Sequence, residues 1–410
     1  MVSNEKWFGA SAGFYPVTID QSLRFDGSSS YLTKTPSSDG NRRKWTFSAW
    51  IKFSQTDDLP SIFGKTRTGN NREGFAIGSS QKLQYQLRVG SVTKALVESV
   101  MVLRDTTNWY HIMMIWDSDN ATASNRVIFY VNGQNAGLEI STTPVQNTDS
   151  YINSTNQNYI GWTSGGSDYL HGYMAEVNFV DGQALTPSSF GETKNGVWIP
   201  KEYSASYGGN GFRLTFDSTH LNTSGSAVTD PSGSSTDLPN NSFSDASASG
   251  NHYSINGFDS TDIVIDTPVN NFCTINSIRE STVYNGSVTL SEGNLQSVDA
   301  GTTYSLHWTG TFGMSTGKWY WEVLAHTMGG SHGNIGLCNA VQKTSAYGTG
   351  VFYGNDGKRN SVTFLSGGTT YGDSYTNGDI IGVAFDADNE TVTFYKNNSS
   401  QGAVGSVLTT

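Results

Sequence analysis

Charge is scarce in this chain. Asp, Glu, Lys and Arg make up 14% of its 410 residues, against about 25% in an average globular protein. The balance is acidic, with 35 carboxylates against 24 Lys and Arg and a net charge of −11. Binding nucleic acid needs clustered Lys and Arg to neutralise phosphates, so no nucleic-acid partner is expected. The densest basic run, NRRK at 41–44, reads as a solvated loop. Cysteine is nearly absent: Cys273 and Cys338 give neither a disulfide framework nor a thiol–metal site. No 18-residue apolar run is present, so no membrane insertion is expected. The start, MVSNEKWFGASAGFYP, lacks the basic opening and continuous apolar stretch of a secretory signal, which makes synthesis in a cytoplasm the default. Helical periodicity is the largest absence of all.

What remains is aromatic and turn-rich. Phe, Trp and Tyr reach 12%, and there are 46 glycines. Aromatic area on that scale offsets chain entropy and argues against disorder. The length exceeds one ordinary core and implies two domains. Strands are marked by period-2 alternation with turn punctuation. WTFSAWIKF (45–53) places Phe47, Ala49, Ile51 and Phe53 on one face. WYHIMMIWD (109–117) is apolar on both faces, as in a central strand covered on each side. NRVIFYVNGQNAG (125–137) ends in Asn132-Gly133, the favoured pair for a type I′ hairpin. YLHGYMAEVNFVDG (169–182) alternates so that Tyr173, Ala175, Val177 and Phe179 would face inward. A single helical turn is expected in ALTPSSFGE (184–192), with Thr186 capping and Pro187 first.

From 217 the composition turns rich in Ser, Asn, Asp and Gly, and large apolar residues thin out. That is the signature of a flexible connector. Apolar content resumes at DTPVNNFCTIN (266–276), and a second β-region follows. The reading is therefore all-β: an N-terminal arm (1–20), a jelly-roll sandwich (21–216), a polar connector (217–282) and a second sandwich (283–410). Near the end of the chain, Asp386, Asp388 and Glu390 stand at alternate positions, as a straight strand would need to aim three acids at one face. Alternating residues run up to them and away from them, however, and Asp388-Asn389 suits a turn. A hairpin tip, with the acids splayed, is expected.

GKWYWEV, IGL and GDIIGVAFDADNETVTFYKN, in that order, resemble the SPRY domain over about residues 283–410. That family binds partners through loops at one end of a sandwich and carries no catalytic residues. It usually continues past NNSSQGAV to a closing strand, so this domain is expected to lack its last strand or to belong to a longer polypeptide. SLRFDGSSSYL, WTFSAWIKF, WYHIMMIWD, RVIFYVNG and GYMAEVNFVDGQALT resemble the laminin-G-like and concanavalin-A-like jelly rolls. Over most of the chain, GFYPVTIDQSLRFDGSSSYLTKTPSS, AEVNFVDGQALTPSSFGE and IDTPVNNF are similar to virion proteins of marine tailed bacteriophages, which join this jelly roll to a SPRY-like module. The resemblance implies a tail-fibre, receptor-binding or capsid-decorating component, located in the virion after synthesis in the host cytoplasm.

Concanavalin-A-like folds also include glycan hydrolases, whose paired carboxylates lie on one strand. Here that strand reads Glu176, Asn178, Asp181, with an amide in the middle and no second Glu; one carboxylate cannot serve as both acid and base. GGSHG (329–333) fits a nucleophile pattern but lacks the helix that must follow it. The seven histidines lack zinc spacing. No catalytic residue and no cofactor are therefore expected. The oxygen-rich loops 117–125 and 388–390 are candidates for Ca²⁺, without a diagnostic spacing.

Sugar rings stack on aromatic faces, while amides, carboxylates and hydroxyls meet their hydroxyl groups. Two Gly-softened loops carry such residues: Trp162, Asp168, Tyr169 and His171 in one, Tyr347 and Tyr353 in the other. The alternative is that these rings pin their own loops. Trp7, Phe8, Phe14 and Tyr15 form a candidate assembly segment, with an arm folded back on the first sandwich as the alternative. The expected protein is non-enzymatic, assembles with itself (as a homotrimer) and with other virion proteins, and meets a host-surface glycan. The rival readings are a purely architectural decoration protein and a jelly-roll glycan hydrolase.

Overall fold

The computed structural model of the chain describes residues 14–55, 60–65, 70–78, 80–163, 166–226, 228–234, 237–277, 288–299, 309–327, 333–338, 350–360 and 368–405. Trp7, Phe8 and Tyr347 lie outside them. The chain divides into two compact units: Met1–Ser277 with Leu290–Gln296, and Ile278–Thr289 with Ser297–Thr410. The described residues form strands, turns and four single 3-10 turns, with no α-helix among them.

Two antiparallel sheets make the first unit. One runs Gln134–Asn135, Val127–Val131, Tyr110–Asp117, Lys44–Phe53, His171–Asp181, Ser22–Asp26 and Ile263–Val264, with Phe212–Leu214 also paired to His171–Asp181. The other has ten strands, with Arg72–Ile77, Ser61–Lys65, Asn158–Ile160, Tyr31–Lys34 and Tyr253–Asn256 consecutive near its middle. Alternation fills the space between them: Trp45, Phe47, Ile51 and Phe53 from one strand and Ile112, Met114 and Trp116 from its neighbour meet Phe63, Phe75 and Tyr85 from the facing sheet. Asn132 and Gly133 both take positive φ, as a type I′ turn requires.

Tyr110–Asp117 is covered on both sides, as its composition requires. Met113 and Ile115 face an outer layer of Phe190, Tyr203 and Tyr207. Trp50, Trp109 and Tyr173 pack beneath Ile19, with Trp198 against them. Residues 14–20 and 183–207 thus lie over the sheet and close its second face. The inward set expected on His171–Asp181 is divided. Glu176 has a φ of 48° and the register to Lys44–Phe53 shifts between Ala175 and Asn178, which marks a β-bulge. Tyr173 and Ala175 therefore face the outer layer, while Val177 and Phe179 face the inner core. The 3-10 turn Pro187–Ser189 sits where a helical turn was expected, but the Thr186 side chain does not cap it; its hydroxyl meets Ser188 Oγ at 2.9 Å.

Where a polar connector was expected over 217–282, the chain as far as Ser277 belongs to the first unit. Leu221–Asn222, Ser242–Phe243 and Tyr253–Asn256 extend the ten-stranded sheet, and Ile263–Val264 edges the other. Polar side chains here do the tying. Asn222 Nδ2 donates to the carbonyls of Ser226, Leu238 and Pro239. Asp245, fully buried, accepts from the amides of Arg213, Ser247 and Asn251.

In the second unit, Lys318–Leu324, Ile380–Asp386, Thr391–Lys396 and Ser399–Val404 form one four-stranded sheet. Asn334–Cys338, Gly350–Gly354, Lys358–Asn360 and Thr369–Thr370 form another. Leu337, Val351, Ile381, Val383, Phe385 and Phe394 share its core. The three acids sit on the hairpin between Asp386 and Thr391. Asp386 accepts from Asn389 N and Nδ2 at 3.1 and 2.9 Å, while Asp388 Oδ1 accepts from Gly317 N at 2.9 Å. Ser399–Val404, the SSQGAV part of NNSSQGAV, pairs with Thr391–Lys396 at the margin of this sheet.

Candidate functional site

Four aromatic rings gather on two central strands of the ten-stranded sheet and the loop beside them. Tyr31 comes from Tyr31–Lys34 and Tyr159 from Asn158–Ile160; these strands pair antiparallel. Trp162 and Tyr169 come from the loop that follows. Trp162 lies parallel to Tyr169 at 5.3 Å and 12°, and 4.6 Å from Tyr31. Tyr159 meets Trp162 edge-on at 5.3 Å. Such pairs contribute roughly 0.5–1.5 kcal/mol each beyond area burial, enough to hold a short loop.

Backbone closure explains why the loop presents these rings. Gly161 N donates to the Ile62 carbonyl, and Leu170 N donates to the Gly161 carbonyl at 2.7 Å. Gly161 has a φ of +82°, and a Cβ there would fall 2.3 Å from the Phe25 ring; any larger residue would push the loop off its seat. Trp162 Nε1 donates to the Gly166 carbonyl at 2.9 Å and Ser61 Oγ meets Thr163 Oγ1 at 2.6 Å.

Beside Tyr169 opens a cleft of about 260 Å³ lined by Gly27, Gln55, Pro60, Ser167, Tyr169 and His171. The volume is just under the ~300–1,000 Å³ typical of small-molecule pockets. It suits a terminal group better than an extended chain. His171 Nδ1 lies 3.0 Å from Gln55 Oε1, which places the proton of the neutral ring on Nδ1. Gly27 belongs to the turn DGSSS, wound around Asp26. Asp26 accepts from the amides of Ser28, Ser29 and Ser30, each at 2.9 Å. Burial raises the Asp26 pKa, but these bonds and the Ser29 and Ser30 hydroxyls outweigh it and hold the carboxyl well below its ordinary value.

The structure thus brings together Trp162, Tyr169 and His171. Asp168 is in the same loop, and its carbonyl accepts from Ser61 N at 3.2 Å. Tyr31 and Tyr159 complete the cluster. Their positions, over 120 residues apart in sequence, gave no local signal. Tyr353 is elsewhere: it is fully buried in the second unit's core, donating to the Asp373 carbonyl, because Gly350–Gly354 is a strand and not a loop. Phe14 and Tyr15 meet edge-on at 4.9 Å, and Lys194 Nζ donates to the Phe14 carbonyl at 2.7 Å while lying 5.4 Å from its ring. This end of the arm is folded back on the first unit.

Glu176 is held by Arg213 through Nε–Oε2 and Nη2–Oε1 contacts of 2.9 and 3.1 Å, and Glu202 takes the same guanidinium. Burial lowers the Arg213 pKa, but the Glu176 and Glu202 charges outweigh it and hold the cation above its ordinary value. The notch between Trp50, His111, Glu176, Asn178 and Glu202 encloses about 10 Å³, room for one water at most. In the loop 117–125, the carbonyls of Asn120 and Ala121 accept from the Arg126 guanidinium at 2.8 and 3.1 Å. Among the described residues, no group of three or more His, Cys, Asp or Glu is placed to hold a metal ion.

Residues 26–189 match the family described as the concanavalin A-like lectin/glucanases superfamily, and residues 318–409 match the SPRY domain. A SAP-like pentraxin from Limulus polyphemus is 19% identical, covering 42% of this chain and 80% of its own, with a TM-score of 0.32. A putative carbohydrate binding protein from Bacteroides ovatus is 18% identical, covering 61% of this chain and 60% of its own, with a TM-score of 0.38. Domain 4 of an extracellular arabinanase from Geobacillus stearothermophilus, solved with arabinotriose, is 16% identical over 41% of this chain and 73% of its own, with a TM-score of 0.32. No curated protein matches.

Proposed function

We propose that this chain, a concanavalin A/laminin-G-like domain followed by a SPRY domain, is a non-enzymatic glycan-binding component of a bacteriophage particle. It engages a host-surface sugar in the cleft beside Tyr169. The observation that carries this reading is the parallel Trp162–Tyr169 pair at the wall of a cleft otherwise lined by Gln55, Ser167 and His171. Aromatic ring, amide, hydroxyl and imidazole together are the chemistry that recognises a sugar ring and its hydroxyls. Trp162 serves as the backing ring and Tyr169 as the contact ring.

The particle setting follows from the sequence resemblance to phage virion proteins, and a tail-fibre or other receptor-binding role follows from the cleft. Single-sugar clefts bind weakly, and repetition on a symmetric particle multiplies their avidity. A homotrimer with other virion proteins as neighbours is the assembly proposed. Against hydrolysis stand the Glu176–Arg213 pair and the filled sheet face around it.

The test is a glycan array probed with the full chain, followed by binding of the labelled chain to host cells. Retention of a defined set of terminal sugars and adherence to cells are expected. Array and cells both blank would leave a purely architectural role, and release of reducing ends, lost on Glu176→Gln, would establish a hydrolase instead.

A further inference from the structure

A second constellation lies in the outer layer of the first unit, away from the Tyr169 cleft. Lys52 is 1% exposed. Its Nζ is 2.8 Å from Asp266 Oδ2, 2.8 Å from Asn271 Oδ1 and 2.6 Å from the Phe272 carbonyl. Lys is rarely buried so fully. Asp266 is itself 6% exposed, and its other oxygen accepts from Trp109 Nε1 at 2.9 Å and Phe272 N at 3.2 Å. Tyr173 walls the site, with Nζ 5.8 Å from its ring centroid. The Asn271 amide is fixed at both ends: its oxygen accepts from Lys52, and its nitrogen donates to the Thr107 carbonyl at 2.9 Å. An amine, a carboxamide and a carboxyl group therefore meet in a nearly dry, aromatic-walled site. The turn Thr267–Asn270, closed by reciprocal backbone bonds of 3.2 and 2.9 Å, holds Asp266 and Asn271 together against the strand.

We propose that Lys52 and Asn271 condense into an intramolecular amide, with Asp266 as the proton carrier. A buried ammonium–carboxylate pair loses the solvation of both charges. Passing one proton from Nζ to Asp266 Oδ2 removes both charges and frees the nitrogen lone pair. Burial raises the Asp266 pKa, against the lowering by Lys52 and Trp109, and so favours the protonated acid. The neutral amine then attacks Asn271 Cγ, one bond beyond the oxygen it already touches. Held neighbours of this kind react with high effective molarity. The developing oxyanion on Oδ1 is stabilised by the Asp266 hydroxyl. As the C–Nδ2 bond breaks, the nitrogen leaves with the proton lost by Nζ. Lysyl –NH₂ and asparaginyl –CONH₂ become –NH–CO– and NH₃; ammonia carries off the proton held by Asp266. No oxidant or further reactant is needed. The link closes 219 positions of chain, joining the central strand Lys44–Phe53 to the segment that ends the first unit.

Intact-mass analysis of the full chain, with a tryptic map, tests this. The expected chain is about 17 Da lighter than its sequence, the mass of one ammonia, and trypsin no longer cuts at the acylated Lys52. The map should yield a branched peptide joining Lys52 to Asn271. That peptide is the deciding readout, because a cyclic imide at an asparagine loses the same mass without branching. Linear peptides carrying unmodified Lys52 and Asn271 in the purified wild-type chain would overturn the proposal, whether or not any variant folds. Asp266→Asn, which keeps amine and amide but removes the proton carrier, should leave the bond unformed. A fully cross-linked Asp266→Asn chain would overturn the role given to Asp266.

Discussion

Lowering the pH should destabilise the first unit through one residue, His111. It sits on the central strand Tyr110–Asp117, fully enclosed between Trp50 at 5.1 Å and Trp198 at 5.8 Å between ring centroids. Trp198 Nε1 donates to Nδ1 at 3.1 Å, so the ring proton is on Nε2, which meets Ser48 Oγ at 2.8 Å. A second proton on Nδ1 would face an N–H. Among the described residues no carboxylate hydrogen-bonds this ring, and burial depresses its pKa from 6.5 to about 3. Because the folded value is the lower one, the unfolded chain binds the extra proton first. The contribution of His111 is complete above about pH 6.5 and is lost progressively as the pH falls toward 3. The slope is about 1.4 kcal/mol per pH unit. Between pH 7 and pH 4 the loss comes to roughly 3 kcal/mol. His111→Gln removes that titration. The assay is urea unfolding of wild type and variant at half-unit pH steps, followed by tryptophan fluorescence. Other carboxylates titrate in both chains, so the difference between the two curves isolates His111. The variant starts less stable at pH 7 and the gap closes by roughly 3 kcal/mol at pH 4. Two parallel curves would refute the reasoning.

Two further perturbations probe the scaffold. Glu73, 1% exposed, accepts from Tyr85 Oη, Ser150 Oγ, Tyr151 N and Ile152 N. Glu73→Ala takes this acceptor from Tyr85 Oη, Tyr151 N and Ile152 N, while Ser150 can turn to the Ile152 carbonyl. It should lower first-unit stability by about 4 kcal/mol in urea unfolding, and Glu73→Gln by less, since an amide oxygen still serves Tyr151 and Ile152. An Ala variant within 1 kcal/mol of wild type would contradict this. Arg126 holds the carbonyls of Asn120, Ala121 and Pro144. Arg126→Lys keeps the charge but loses the fork, so limited proteolysis should cut between 118 and 125 several-fold faster, with cutting elsewhere unchanged.

Local pattern made much of the architecture legible. WYHIMMIWD announced a strand covered on both faces, and Met113 and Ile115 do face an outer layer while Met114 and Trp116 face the inner core. The DADNE hairpin was readable because Asp and Asn bond their own backbone at turns. The stretch after 217 was misleading for a related reason. Asn222, Asp230, Asp245 and Asn251 are buried there, each replacing apolar packing with hydrogen bonds to backbone or serine hydroxyls. A composition that resembles a linker is thus a set of internal ties. On His171–Asp181, simple alternation carried through Glu176 assigned Tyr173 and Ala175 to the wrong face, because a bulge leaves no mark in the period. Of the candidate site, the Trp162–Tyr169 loop stood out as aromatics among glycines. Tyr31 and Tyr159 did not, since only strand pairing brings them there. Tyr353 was read as a loop ring because glycines flank it, yet those glycines admit close strand approach: a Cβ on Gly350 would fall 2.1 Å from the Leu337 carbonyl.

The most direct test of the account is the affinity of the full chain for its best array sugar, measured by calorimetry for wild type and Tyr169→Ala. Losing one stacked contact of roughly 1.5 kcal/mol should weaken binding about tenfold, while stability falls only by the roughly 0.5–1.5 kcal/mol of the lost Trp162–Tyr169 stack and the chain stays folded. Undiminished affinity in the Tyr169→Ala chain would contradict it and move the binding surface elsewhere.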